Sequence, residues 1–188
     1  MVGDCQRGFY IGLMADLRSD IGTIAVIGYG SQGRALALNW RDSGRNVIVG
    51  LPPQSESRRR AESDEISEVA TPGETAGSAD ILCFALPDHL HRRIWRDELK
   101  DKVRSGSTLV FLHGLSIHFG HVEPPGDCNV VLMAPHAPGV SVREKYLSDR
   151  SVSAFYAVHQ DVSGEAETEV LQLAADALWQ AQEDGLEV

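Results

Sequence analysis

From residue 23 onward the chain alternates short apolar runs with stretches whose apolar residues recur at helical spacing. Residues 23–27 form an uncharged strand run. Ala35, Leu36 and Leu38 then repeat on one helical face before a stop at Asp42-Ser43-Gly44. Residues 46–50 read as a second strand, left through a loop containing Pro52-Pro53. The polar stretch 56–64 reads as a short exposed helix and 66–69 as a brief third strand. Thr71, Pro72 and Glu74 supply an N-cap, a proline at the first helical position and the acid of a capping box, so a helix begins there. Residues 81–86 form a fully apolar strand closed by Pro87, followed by a helix over 89–99. Strands over 107–112, 129–134 and 154–158 complete the series. A closing helix over 165–181 carries Val170, Leu171, Leu173, Ala174 and Leu178, and the tail 183–188 is expected to fray.

Alternating strands and helices imply parallel crossovers, and strands apolar on both faces imply a sheet covered on both sides. The expectation is an α/β fold: a doubly wound, mostly parallel Rossmann-type sheet in a single domain over residues 1–182. Ligands of such sheets bind beyond the carboxyl ends of the strands. Five loops should therefore converge on one edge: 28–33, 51–57, 87–90, 113–114 and 135–139.

Composition narrows the classes of partner. The 188 residues carry a formal net charge of −10, which opposes binding to a nucleic-acid backbone. The single cationic run, Arg58-Arg59-Arg60, is followed by Glu62, Asp64 and Glu65 and reads as a solvated helix face, with a localised phosphate contact as the alternative. No run is long and apolar enough to span a bilayer, and the first residues make a poor signal peptide, so a cytoplasmic protein is expected. Cys5, Cys83 and Cys128 are widely spaced and read as reduced thiols, with Cys83 in the core. The seven histidines lack the paired spacing of a zinc site, so no metal is assigned to the chain itself.

The chemistry concentrates where the first strand meets the first helix. Gly28-Tyr29-Gly30-Ser31-Gln32-Gly33 is a G-x-G-x-x-G turn opening a helix. Gly28 permits the tight turn, Gly30 lets backbone N–H groups reach a pyrophosphate, and Gly33 lets the helix pack closely on the strand. At the end of the second strand, where NAD enzymes place an acid for the ribose 2′-hydroxyl, stand Gly50 and Leu51. Ser55, Ser57 and Arg58 follow as donors suited to a 2′-phosphate, which favours NADP over NAD, while Glu56 argues the other way. His113, directly after a buried strand, either shuttles a proton near a bound nicotinamide or bonds a loop carbonyl. Asp88 either caps the next helix, the favoured reading, or faces the cofactor. Position alone promotes none of His118, His121, His136 and His159.

These motifs, with Leu86-Pro87-Asp88, His113-Gly114, Ile117-His118-Phe119-Gly120, Ala134-Pro135, Pro138-Gly139 and Val158-His159-Gln160-Asp161, resemble the N-terminal domain of ketol-acid reductoisomerase. The resemblance runs from about residue 15 to 177. It implies an NADPH-binding Rossmann domain with residues 29–32 at the pyrophosphate, Ser55 and Ser57 at the 2′-phosphate, and Pro87, Asp88, Leu90 and Gly139 lining the cofactor. His113 matches the family's active-site histidine. In that family the full enzyme performs a magnesium-dependent alkyl migration and an NADPH-dependent reduction in branched-chain amino acid biosynthesis.

This chain departs from the pattern in three places. The family's knotted helical C-terminal domain, which carries the acidic magnesium ligands, has no counterpart in these residues, so magnesium is expected only if a partner chain supplies ligands. Pro52 stands where NADPH-using members often have arginine, and His136 where the pattern has lysine. The resulting expectation is an NADP-dependent oxidoreductase domain that passes hydride to a small keto acid or imine substrate, its pocket completed by a homodimer mate or a separate helical partner. The alternatives are a non-catalytic NADP-binding or regulatory module, or one half of a split reductoisomerase.

Overall fold

A computed structural model describes residues 21–178. Among them, seven strands form one sheet: β1 (Thr23–Ile27), β2 (Asn46–Gly50), β3 (Glu68–Ala70), β4 (Ile81–Phe84), β5 (Thr108–Phe111), β6 (Asn129–Pro135) and β7 (Ala154–Gln160). Their order is β3-β2-β1-β4-β5-β6-β7, and all pairs are parallel except β6 with β7. The order reverses beside β1, so the first loop opens at the switch point where such sheets bind ligands.

The strand interiors explain the two-sided cover. Along β4, Ile81 and Cys83 enter one apolar cluster while Leu82 and Phe84 enter the other, the period-two alternation of a strand buried on both faces. The first cluster lies against α1 (Ser31–Asp42) and α7 (Ala166–Leu178). There Trp40 Nε1 donates to the Leu173 carbonyl at 2.9 Å and Asn39 Nδ2 to that of Ala177 at 2.7 Å. Both buried polar side chains thereby anchor one helix to the other. The second cluster holds Phe84, Trp95, Leu99 and Phe111 beneath α3 (Pro72–Ser78) and α4 (Asp88–Ile94). Cys83 is fully buried, and burial pushes its thiol up to about 12, as expected of an inert core residue.

The capping box forms as the sequence predicts, with Thr71 Oγ1 accepting from the Glu74 N–H and the Glu74 carboxylate accepting from the Thr71 N–H. α2 (Ser57–Ser63) sits within the stretch read as a short exposed helix. β3 begins two residues later than predicted: Ile66 is buried beneath the end of α2, where Glu65 takes φ 59°, and the strand follows it. The predicted helix over 89–99 starts at Asp88 and changes to a π-helical segment (Trp95–Leu99). The sequence reading missed α5 (Leu115–His118) and α6 (Gly139–Tyr146).

α6 decides the sense of the last strand. It packs on α1, after which the chain re-enters the sheet at the carboxyl end of β6, with Pro135 opposite Ala154. β7 must therefore run back antiparallel as an edge. The predicted end of the closing helix at 181, the fraying tail 183–188 and Cys5 lie outside the described residues.

Candidate dinucleotide site

The glycine turn has the three shapes its sequence requires. Gly28 has φ +100°, and a Cβ there would lie 2.8 Å from the Ala85 carbonyl oxygen. A Cβ on Gly33 would meet the Gly28 carbonyl at 2.5 Å, so helix and strand touch backbone to backbone. At Gly30, by contrast, a Cβ would have nothing within 4 Å, which leaves open space above the turn. Gly30 is the N-cap of α1, with no side-chain cap, and the first helical bond runs from the Arg34 N–H to the Gly30 carbonyl. The N–H groups of residues 31–33 precede that bond and have no acceptor within the helix, as an anion site requires.

Neighbouring loops brace the turn. Gly139, the first residue of α6, presses on the Ser31 backbone so closely that a Cβ would overlap the Ser31 carbonyl. Gln32 Nε2 donates to the Ala137 carbonyl at 3.2 Å, while its Oε1 is buried without a partner. Tyr29 is turned inward: its ring is 1 % exposed and its hydroxyl donates to Asp64 at 3.0 Å. Arg34 grips the same carboxylate bidentately at 2.6 and 2.7 Å and holds it below the usual carboxylate range, while burial and Asp64 raise the Tyr29 phenol. Only the main chain of Tyr29 is left for a pyrophosphate. The sequence reading missed this Tyr29–Asp64–Arg34 brace, which joins residues far apart in the chain.

The loop after β2 holds a second surprise. Arg58 was read as a phosphate donor or part of a solvated face, yet its guanidinium turns in to the carbonyls of Leu51 at 2.8 Å, Ala70 at 3.2 Å and Val69 at 2.6 Å. It closes the ends of β2 and β3 where their ladder stops. Ser55 and Ser57 lie partly exposed beside it, with Ser55 Oγ accepting from the Ser57 N–H at 3.3 Å.

At the adjacent ends of β4 and β5, Asp88 makes no cap: α4 starts at Asp88 with Pro87 as N-cap and no side-chain capping bond, which corrects the favoured reading. Pro87 has no side-chain acceptor to cap the helix, and the Asp88 carboxylate lies 3.8 Å from His113 Nδ1. His113 is exposed, and its Nδ1 accepts from the Leu115 N–H at 3.2 Å. In the neutral ring the proton therefore sits on Nε2. Beneath them lies a residue not singled out from sequence, His91, which hydrogen-bonds Leu86 O and Ser116 Oγ. The signal was present: Leu90, Ile94 and Trp95 mark the buried face of α4, and His91 falls on it. His136, farther along the edge, hydrogen-bonds Ser153 at 3.2 Å and meets the Phe155 ring edge-on.

One surface depression of about 400 Å³ lies over Arg34 and Arg143, and another of about 540 Å³ among Asp80, Asn129 and Glu169 at the opposite end of the sheet. The first borders the turn through Arg34, which follows Gly33, and Asp64, the partner of Tyr29. Among the described residues no group of three or more His, Cys, Asp or Glu side chains has the geometry to hold a metal ion. The open turn, the unpaired helix N-terminus and the serine-bearing loop fit a dinucleotide.

This arrangement defines a Rossmann-type dinucleotide-binding domain. The chain belongs to the family described as acetohydroxy acid isomeroreductase, NADPH-binding domain, whose family model matches residues 20–179. It is 46% identical over 151 residues to the ketol-acid reductoisomerase (NADP(+)) of Saccharolobus solfataricus, covering 80% of this chain and 45% of that protein. Its fold is similar to the structure of an NADH-preferring ketol-acid reductoisomerase from an uncultured archean, with a TM-score of 0.80 and 36% identity over 84% of this chain and 49% of that one. A semialdehyde dehydrogenase NAD-binding protein from Cupriavidus necator shares the fold alone, with a TM-score of 0.69 at 21% identity over 84% of this chain and 59% of that one. The chain thus spans about half the length of the reductoisomerases it matches. None of the described helices is long and apolar enough to cross a membrane.

Proposed function

We propose that the chain binds NADPH at this edge and serves as the hydride-donating half of a reductase acting on a small keto acid or imine. The observation that carries the reading is the contrast among the glycines: backbone blocks a side chain at Gly28, Gly33 and Gly139, while Gly30 opens onto free space above unpaired N–H groups. That combination excludes side chains where the turn packs against its neighbours and leaves room at Gly30, where a pyrophosphate would approach.

In this reading residues 29–32 hold the pyrophosphate through main-chain N–H groups, with Pro87, Asp88 and Gly139 lining the cofactor. Because Arg58 is engaged with three carbonyls, Ser55 and Ser57 meet a 2′-phosphate while Arg58 shapes their loop. The cofactor supplies a hydride equivalent. His113 supplies the matching proton from Nε2 in its protonated state, in which Nδ1 gives up the Leu115 N–H and Asp88 is the nearby acceptor for the Nδ1 proton. A carbonyl carbon gains the hydride and its oxygen the proton, which balances reduction to an alcohol.

Phe119 and Phe155 are each 63% exposed near the ends of β5 and β7, apolar surface of the kind that a homodimer mate or separate helical domain would cover while excluding water from the nicotinamide. Such a partner would also be the source of any magnesium ligands. We place the protein in the cytoplasm. The experiment is turnover of small keto acids and imines with NADPH, alone and with a helical partner added, comparing wild type with His113→Ala. Turnover lost in the variant with NADPH affinity retained supports the reading; turnover unchanged in the variant overturns the role of His113.

A second reading, a non-catalytic NADP-binding module, gains support from His136. The lysine of the related pattern is replaced there by a ring held against Ser153 and Phe155. Absence of turnover under every condition, with dinucleotide binding intact, would favour it.

A further inference from the structure

His91 is 1% exposed, on the inner face of α4, yet both of its ring nitrogens are hydrogen-bonded, one to the loop after β4 and the other to α5. Nε2 lies 2.9 Å from the Leu86 carbonyl, one residue before Pro87-Asp88. Nδ1 lies 2.8 Å from Ser116 Oγ, three residues after His113. A carbonyl can only accept, so Nε2 carries the proton and Nδ1 accepts from the serine hydroxyl. The ring packs beside Phe84 and Phe111, at centroid distances of 5.6 and 6.1 Å, and those two rings stack on each other at 4.5 Å. Phe84 and Phe111 are the last residues of β4 and β5 and face each other in register. His91 thus bridges the two chain segments that leave those strands.

Packing alone does not call for an imidazole there, since an aliphatic side chain would fill an apolar niche without needing two polar partners. What the imidazole adds is a fixed distance between the segment ending in Asp88 and the segment beginning at His113. We propose that His91 is a positioning residue: with Ser116 it ties the Leu86 carbonyl to α5 and so sets Asp88 and His113 against each other at the cofactor edge. The proposal rests on the dinucleotide-site reading for its purpose, but the tie itself is a property of the free chain. Burial pushes the His91 imidazole below its ordinary range, which keeps Nδ1 available as the acceptor that Ser116 needs. The charged or titratable neighbours that act on it are Asp88 from its own helix and His113 and His121 from the segments around α5.

The test compares His91→Leu, His91→Gln and Ser116→Ala with wild type in the full chain. One readout is the ¹⁵N signals of the His113 ring, assigned through a His113→Ala spectrum; the other is NADPH affinity by titration. Leucine removes both hydrogen bonds, whereas glutamine keeps one donor and one acceptor. The proposal predicts that His91→Leu and Ser116→Ala move the His113 ring nitrogens away from the pattern of a single Nε2–H tautomer, and that His91→Gln restores it. A merely structural His91 would lower the melting temperature without moving those signals. Unchanged His113 signals in folded Ser116→Ala and His91→Leu proteins would overturn the proposal. If His91→Leu does not fold, Ser116→Ala alone decides. Wild-type protein that fails to bind NADPH would sink the cofactor reading, while the His113 signals still decide whether His91 positions it.

Discussion

The carboxylate of Asp88 lies 3.8 Å from Nδ1 of His113, across the gap between the loops that follow β4 and β5. Neither residue is held there by its own strand: Asp88 rides on the first turn of α4, and His113 is pinned through the Leu115 N–H. Replacing Asp88 by Asn keeps the shape and removes the charge nearest that ring. The expected outcome is slower turnover with NADPH affinity nearly unchanged, together with a stability loss of about 0.5 kcal/mol from the helix N-terminus. Parallel kinetic, binding and denaturant measurements check all three, and an affinity loss as large as the loss of turnover would mean that Asp88 binds cofactor rather than orienting His113.

Gly30 and Gly139 should fail in opposite ways. Gly30 has φ −75° and open space around it, so Gly30→Val should leave stability within about 0.5 kcal/mol of wild type while blocking the anion and lowering NADPH affinity by about tenfold or more. Gly139→Ala drives a methyl group into the Ser31 backbone and should cost about 1–3 kcal/mol of stability, with affinity falling as the turn shifts. Urea denaturation alongside titration separates the two cases.

Arg58 gives a sharper contrast with its serine neighbours. Arg58→Ala strips donors from three carbonyls and should destabilise the protein by about 1–3 kcal/mol, weakening NADPH and NADH together. Ser55→Ala with Ser57→Ala should weaken NADPH selectively and leave stability nearly unchanged. A selective loss of NADPH binding in the Arg58 variant would show that the guanidinium leaves its carbonyls to clamp phosphate.

A carboxylate at the opposite end of the sheet sets part of the pH dependence. Burial raises Glu169 above the ordinary carboxylate value of 4.5, while the hydroxyl of Thr108 donates to it and lowers it less. A raised folded value favours the protonated form, so the fold gains stability below about 4.5 and loses that part as pH rises through the folded value. Glu169→Gln should therefore be more stable than wild type at neutral pH, and the difference should shrink on acidification toward 4.5. Melting curves of both proteins across that window test the sign.

The parts of the fold legible in the sequence depend on local chemistry. The capping box at Thr71 and Glu74, the apolar runs of β1 and β4 and the glycine turn each state their geometry within a few residues. The antiparallel β7 was not legible, because its direction follows from α6 packing on α1. Tyr29 looked like a cofactor contact for a similar reason: its inward turn depends on Asp64, at the far end of α2. Arg58 lies in a cationic run that resembles a surface, and only the adjacent ends of β2 and β3 show why one of its three arginines is drawn inward. His91 was the clearest missed signal, a polar residue on a buried helical face whose partners come from two other segments.

The central claim is a working dinucleotide site, and equilibrium titration with NADPH and NADH, with Gly30→Val as the control, tests it most directly. The account predicts saturable NADPH binding in the micromolar range, weaker binding of NADH, and loss of both in the variant. Binding of neither dinucleotide to the folded wild-type chain, or undiminished binding to Gly30→Val, would contradict it.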